Sequence, residues 1–134
     1  MNGELTTKGP VLGVGIDLIE VDRIARVLER QGDRFRHRVF TEGELAYCEG
    51  MKFPHPHYAA RFAAKEAVSK AFGTGIGGAF GWKSAEVCKD DQGAPWIRLD
   101  TSTDSLLRER GAREVLLSLA HTREHATAIA LLIG

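Results

Sequence analysis

A chain of 134 residues, 43% hydrophobic and 27% charged, has the size and balance of one globular domain and lies away from disordered and membrane classes. Its 18 basic and 18 acidic residues cancel, so no overall field recommends nucleic acid as a partner, and an electrostatic partner must be recognised by a local patch. The two cysteines, Cys48 and Cys88, are too far apart for a CxxC pair and lack zinc-type companions, so they read as plain thiols.

Residues 1–10 are polar and hold no apolar stretch of the kind that marks a secretory signal. No later run approaches the ~20 apolar residues of a membrane span. The expectation is a loose leader over 1–10, a single domain over 11–134, no membrane association and a cytoplasmic location. Val11-Leu12-Gly13-Val14-Gly15-Ile16 alternates branched residues with glycine and predicts a buried strand, approached closely by other backbone, with Asp17 at its end. Val21, Ile24, Ala25 and Leu28 then recur at helical spacing, with Arg23, Arg26 and Arg30 on another side of the same helix.

Thr41-Glu42-Gly43-Glu44 is a capping-box pattern opening a short helix through Tyr47 to about Glu49. Phe53-Pro54-His55-Pro56-His57 is expected to break the chain, because proline lacks the N–H that a helix interior needs. The alanine-rich run from Tyr58 to Phe72, stopped by Gly73, is the expected central helix. After a flexible loop from Gly73 to Gly78, Ala85 to Cys88 and Pro95 to Leu99 form a hairpin around Asp91-Gln92-Gly93. A helix from Asp104 to Arg110 ends at Gly111. Val115 to Ala120 pairs with Ala126 to Ile133 in a second hairpin across Thr122 to His125. No internal repeat or domain linker is visible.

Glu66 and Lys70 are four apart and share a helix face. Spacing alone reads them as a surface ion pair worth about 0.3–0.5 kcal/mol, and Asp17 alone as a strand-end or capping aspartate. Gly77 to Ser84 imitates a P-loop until Trp82 separates Gly81 from Lys83; it also follows a helix instead of opening one, so Walker and Rossmann readings are rejected. His55 and His57 have metal-like spacing but no further ligands. A lone His121 at a strand end is more often structural, and the three arginines alone are a solvated face.

Gly13-Val14-Gly15-Ile16-Asp17, Arg61-Phe62-Ala63-Ala64-Lys65-Glu66-Ala67, Lys70-Ala71-Phe72-Gly73-Thr74-Gly75 and Leu117-Ser118-Leu119-Ala120-His121-Thr122 occur in that order. Together, across Val11 to Ile133, they resemble the holo-acyl-carrier-protein synthases of the 4′-phosphopantetheinyl transferase superfamily. The resemblance implies an α+β phosphopantetheinyl transferase fold, with antiparallel hairpins packed on a central helix, assembled as a homotrimer with active sites between neighbouring subunits. It also implies magnesium-dependent transfer of phosphopantetheine from coenzyme A to a serine of apo-acyl carrier protein, releasing adenosine 3′,5′-bisphosphate.

On that resemblance Asp17 and Glu66 bind magnesium, Glu66 serves as the base directly or through a water on the metal, and Lys70 acts beside the diphosphate at the leaving group. His121 is placed near the coenzyme A phosphates. Ser69 and the loop containing Gly73 and Gly75 shape the coenzyme site, since glycines let backbone N–H groups approach phosphate. Arg23 first, then Arg26 and Arg30, dock the acidic carrier. Ala120 departs from the family strand S-x-[ST]-H by removing a hydroxyl. Two other readings stay open: a magnesium-dependent phosphoesterase or pyrophosphatase using water as nucleophile, and a non-catalytic carrier-binding module that uses only the arginine face. Retention of Asp17, Glu66 and Lys70 together argues against the second.

Overall fold

The computed structural model describes residues 9–134. Most of the expected leader therefore lies outside the described residues. Of its last two positions, Pro10 belongs to the fold, its carbonyl accepting a 2.9 Å hydrogen bond from the Gly134 N–H. The elements in order are β1 (Val11–Glu20), α1 (Val21–Gln31), α2 (Asp33–Val39), α3 (Glu42–Glu49), α4 (Pro54–Ala71), β2 (Ala85–Lys89), β3 (Pro95–Leu99), α5 (Thr101–Glu109), β4 (Glu114–His121) and β5 (His125–Ile133). β1, β5 and β4 form an antiparallel sheet in that spatial order, and β2 pairs with β3 as a separate antiparallel hairpin. This is the mixed α and β architecture with antiparallel sheets that the sequence predicts.

The centre of the molecule is the contact between α4 and the inner face of the three-stranded sheet. α4, with Ala59, Ala60, Ala63, Ala64, Ala67 and Val68 buried, packs on β1 and on β5, where Ala126, Ala128, Ala130 and Leu132 are buried. Small side chains on both partners allow close approach, and the glycines of β1 take it to its limit. A methyl on Gly15 would collide with the Ala67 carbonyl, and one on Gly13 with the Ala71 carbonyl. Both obstacles are rigid helix backbone, so α4 and β1 must separate to admit a side chain. Gly15→Ala should therefore cost at least the ~1–3 kcal/mol typical of overpacking. Thermal unfolding of the purified variant checks this, and an unchanged midpoint would contradict the contact.

Three boundaries differ from the sequence reading for physical reasons. β1 does not end at Asp17 but runs to Glu20, because Asp17, Leu18, Ile19 and Glu20 continue the ladder with Ala128, Thr127, Ala126 and His125 of β5. α4 starts at Pro54, not Tyr58; Pro54 and Pro56 fall in the first turn, where a missing N–H costs no intrahelical bond. α5 starts at Thr101, where Asp100 accepts a 2.8 Å hydrogen bond from the Thr103 N–H as N-cap. α2 has no counterpart in the sequence reading. The capping box is present as expected, with Thr41 and Glu44 bonding each other's backbone N–H groups. Gly93 makes the hairpin turn at φ 84°.

Glu44 does more than cap. It is fully buried and meets the fully buried Lys65 at 2.8 Å. Lys65 also donates to the Trp82 carbonyl at 3.0 Å and the Ala85 carbonyl at 2.8 Å, and Glu44 accepts from the Val87 N–H at 2.7 Å. This network ties α4 to α3 and β2.

The sheet alternates as an antiparallel sheet should, with an apolar inner face. Its outer face is also apolar: Val14, Ile16, Leu18, Leu116 and Ile129 are exposed, Leu18 by 68%.

Candidate active site

β1 and α4 bring three of the expected residues together. Asp17 lies on the inner side of β1 with a 17% exposed side chain, and Lys70 crosses from α4 to meet it, Nζ to Oδ1, at 3.0 Å. The same ammonium donates to the Ile16 carbonyl at 3.1 Å. The i,i+4 ion pair between Glu66 and Lys70 that spacing suggests is not made; the lysine reaches the strand instead. Glu66, half-buried one turn earlier, has a side chain without a hydrogen bond or ion pair among the described residues. Its carboxyl is held above the usual range, first by burial and then by the Asp17 charge, against the pull of Lys70 and Arg23. Arg23 of α1 thus lies within the field of this site. Thr127 donates to the Asp17 carbonyl at 2.8 Å and fixes the strand pairing there.

Ser69 is fully buried, and its hydroxyl donates to the Glu66 carbonyl at 2.7 Å. Its own carbonyl accepts from the N–H groups of Thr74 and Gly75 at 3.1 and 3.2 Å. Ser69 therefore acts on the following loop through its backbone, with its hydroxyl turned into its own helix. Gly73 and Gly75 have φ of 80° and 67°, which lets the loop turn back over the end of α4. Arg26 and Arg30 are exposed on α1 with Arg23, and Arg26 pairs with Asp22 at 2.6 Å.

His121 belongs to a different cluster. Its ring packs edge-on against His57 at 5.0 Å, and His57 packs against Tyr47 at 5.7 Å. Arg61, only 2% exposed, lies with its guanidinium 3.9 Å from the Tyr47 ring centre, and its Nε has no hydrogen-bond partner. His57, Arg61, Lys89 and His121 line a cavity of about 320 Å³ with Gly93 and Pro95. Burial, then the neighbouring His121, Arg61 and Lys89, lower the His57 pKa. A cavity walled by four basic side chains, one buried and incompletely bonded, suits an anion.

The sequence reading places His121 near coenzyme phosphates but misses its companions His57, Arg61 and Lys89, because it expects a chain break at His57. On a helix that begins at Pro54, His57 and Arg61 are one turn apart on one face, and that spacing is the signal. His55 does not line this cavity; it opens on two neighbouring grooves, one of which it shares with His57 and His121. Cys48 is buried, with its thiol pushed up to about 12 mainly by burial, and both cysteines are unpaired.

Two carboxylates and a lysine on one side of α4, and a basic cavity on the other, define an α+β protein built to handle a phosphate-bearing substrate. The chain belongs to the 4′-phosphopantetheinyl transferase superfamily, whose family model matches residues 13–130. It is 49% identical over 121 residues to the holo-[acyl-carrier-protein] synthase of Chlamydia trachomatis serovar D, covering 90% of this chain and 98% of that protein. The crystal structure of the holo-[acyl-carrier-protein] synthase from Neisseria meningitidis superposes with a TM-score of 0.87 at 31% identity, over 93% of this chain and 100% of that one. A holo-(acyl-carrier-protein) synthase from Bacillus anthracis, in complex with coenzyme A (3′,5′-ADP), superposes with a TM-score of 0.77 at 38% identity, over 92% and 97% of the two chains.

Proposed function

We propose that this protein is a holo-acyl-carrier-protein synthase, transferring the 4′-phosphopantetheine group of coenzyme A to a serine of an apo-acyl carrier protein and releasing adenosine 3′,5′-bisphosphate. The observation that carries the reading is the convergence of Asp17, Glu66 and Lys70 where β1 crosses α4. The donor set fits magnesium, which takes oxygen ligands and is commonly held by one or two carboxylates with substrate phosphates and waters. Asp17 and Glu66 would hold it, and Glu66 has its carboxylate uncommitted. When bound there, the ion supplies positive charge to the diphosphate as the transfer proceeds.

The remaining chemistry belongs to the side chains. Glu66 takes the proton of the carrier serine, directly or through a water, and burial keeps this carboxylate basic enough for the task. The serine oxygen forms a bond to the pantetheine-side phosphorus while the bond to the adenosine bisphosphate oxygen breaks. Lys70 offers its ammonium to the charge gathering on that departing group. The pocket of His57, Arg61, Lys89 and His121 takes a coenzyme A phosphate. Ser69 holds the turn at Gly73 and Gly75 that borders the coenzyme site.

The carboxylates and the basic pocket do not form one site within a single protomer. Glu66 follows His57 by nine residues, about two and a half turns, which puts the two on opposite faces of α4. Asp17 and His121 correspondingly stand on β1 and β4, the two edge strands of the sheet. A cyclic trimer would bring the β1 side of one subunit to the β4 side of the next, and the exposed apolar outer face of the sheet supplies a surface for such contacts. The sites of this protein accordingly lie between subunits. Among the described residues no helix is long and apolar enough to cross a membrane, and the proposed location is the cytoplasm.

Carrier docking is assigned to the arginine face of α1. Arg30 lies farthest along that helix from the carboxylates, so Arg30→Glu should raise the KM for the carrier by about fivefold, as expected for a surface charge contact near 1 kcal/mol, with kcat unchanged. Arg23→Glu should raise it and also lower kcat, because Arg23 sits in the field of Glu66. Steady-state kinetics with the carrier varied decides; equal effects on the KM for coenzyme A would contradict the division.

The whole reading is tested by mass spectrometry of an apo-carrier incubated with coenzyme A, magnesium and the protein. The carrier should gain one phosphopantetheine. Hydrolysis of coenzyme A with no change in the carrier would instead make the protein a phosphoesterase.

A further inference from the structure

Lys70 has two carboxylates within reach and chooses the distant one. Glu66 lies four residues before it on the same helix, the arrangement in which glutamate and lysine ordinarily pair. Yet the ammonium crosses to β1, donating to Asp17 Oδ1 at 3.0 Å and to the Ile16 carbonyl at 3.1 Å. Two of its three donors are thereby committed to the strand. The Ile16 carbonyl matters here, because it turns a simple charge pair into a two-point seat. Asp17 is mostly covered and Lys70 half-exposed, so the carboxylate is fixed and the ammonium is the partner able to leave.

We infer that Lys70 is the resident cation of this carboxylate site, occupying Asp17 until a metal ion displaces it. The inference rests on the assignment of Asp17 and Glu66 as metal ligands. A divalent ion cannot share Asp17 with an ammonium three ångströms away without strong repulsion. In the protein alone, metal entry therefore requires the lysine to swing out into solvent and lose both its bonds. The anionic diphosphate of coenzyme A offers the displaced ammonium a new acceptor beside the same site. Metal affinity is thus low in the free protein, and the same side chain that guards the site becomes the charge delivered to the leaving group once substrate and metal are present. The ion pair and the later role are two positions of one flexible side chain with four rotatable bonds.

The test uses Mn²⁺ as the probe, titrated by electron paramagnetic resonance into the metal-free full chain without coenzyme A. Lys70→Met should bind Mn²⁺ at least tenfold more tightly than the wild type, and Lys70→Gln should do the same. Thermal unfolding of both variants establishes that they are folded. Affinity equal to or weaker than the wild type in both overturns the inference. A second readout needs no variant in the titration itself: the Nζ cross-peak of Lys70, assigned by its disappearance in Lys70→Met, should shift when Mg²⁺ is added to the wild-type protein. A peak that stays fixed at saturating Mg²⁺ equally overturns it. If the wild type binds Mn²⁺ tightly with coenzyme A present while these results fail, the metal assignment stands without the displacement. If Mn²⁺ binding with coenzyme A is instead unaffected by Asp17→Asn and by Glu66→Gln, the assignment itself fails, and the inference with it.

Discussion

Glu66→Ala should lower single-turnover phosphopantetheine transfer by a factor on the order of a hundred or more, since it removes the carboxylate proposed both to hold the metal and to accept the serine proton. The protein should stay folded, because the Glu66 side chain makes no hydrogen bond or ion pair among the described residues. The sign of its effect on stability can be worked out. Burial and the Asp17 charge raise the carboxyl's pKa in the folded protein, so its contribution is fully present below the unfolded value and is lost as pH rises through the folded value. Glu66→Gln should therefore be inactive with magnesium present and yet, in the absence of metal, at least as stable as the wild type at neutral pH, with the difference vanishing in acid. Thermal unfolding followed across pH, beside transfer assays, checks both halves. A destabilised Glu66→Gln variant at neutral pH would mean that the carboxylate has a structural partner.

The candidate site was legible only in part, because its side chains pair across elements and not along the helix. Spacing alone joined Glu66 to Lys70 and left Asp17 as a strand end. The three were assigned one site through the order of motifs along the chain, and the structure shows a different pairing, from Lys70 to Asp17. Tertiary contact had overridden a local rule.

The hairpins were legible because their alternation and turn residues are local signals. α2 was not, because Asp33 to Val39 offers only Phe35 and Val39 as buried anchors among charged neighbours. The basic pocket was hidden by Pro54 and Pro56, which open a helix as readily as they break one. The outer sheet face was hidden for another reason: β1 carries exposed Val14, Ile16 and Leu18 on its outer side as well as buried Ile19 on its inner one, and alternation does not rank two apolar faces.

Lys65 is the least legible residue of all. It stands beside Glu66 in the same motif, and lysine is almost never fully buried. Glu44, its partner, already had a sufficient explanation as the closing residue of a capping box. Neither gave reason to expect the other, 21 positions apart in sequence. Their meeting, sealed by two carbonyls and two backbone N–H groups, leaves no unsatisfied polar atom on either side chain.

Lys65→Met should consequently be the most destabilising of these substitutions. Burial lowers the pKa of Lys65 and Glu44 opposes that shift, so the ammonium is tolerated there because the carboxylate faces it. Methionine fills much of the same space but leaves the Glu44 charge buried with only the N–H groups of Thr41 and Val87, a loss of about 3–5 kcal/mol by comparison with other broken buried pairs. For a domain of this size that is a fall of roughly 10 °C or more in Tm. Lys65→Met with Glu44→Gln should recover part of the loss, because the amide oxygen can still accept one of those N–H groups without carrying charge. The cycle formed by the two single variants and the double variant measures the coupling directly. Since α4 also carries Glu66 and Lys70, transfer by the single variant should fail at a lower temperature than in the wild type while its rate in the cold stays nearer normal. A Lys65→Met protein that melts with the wild type would mean that the glycine and alanine contacts with β1 and β5 hold α4 in place unaided.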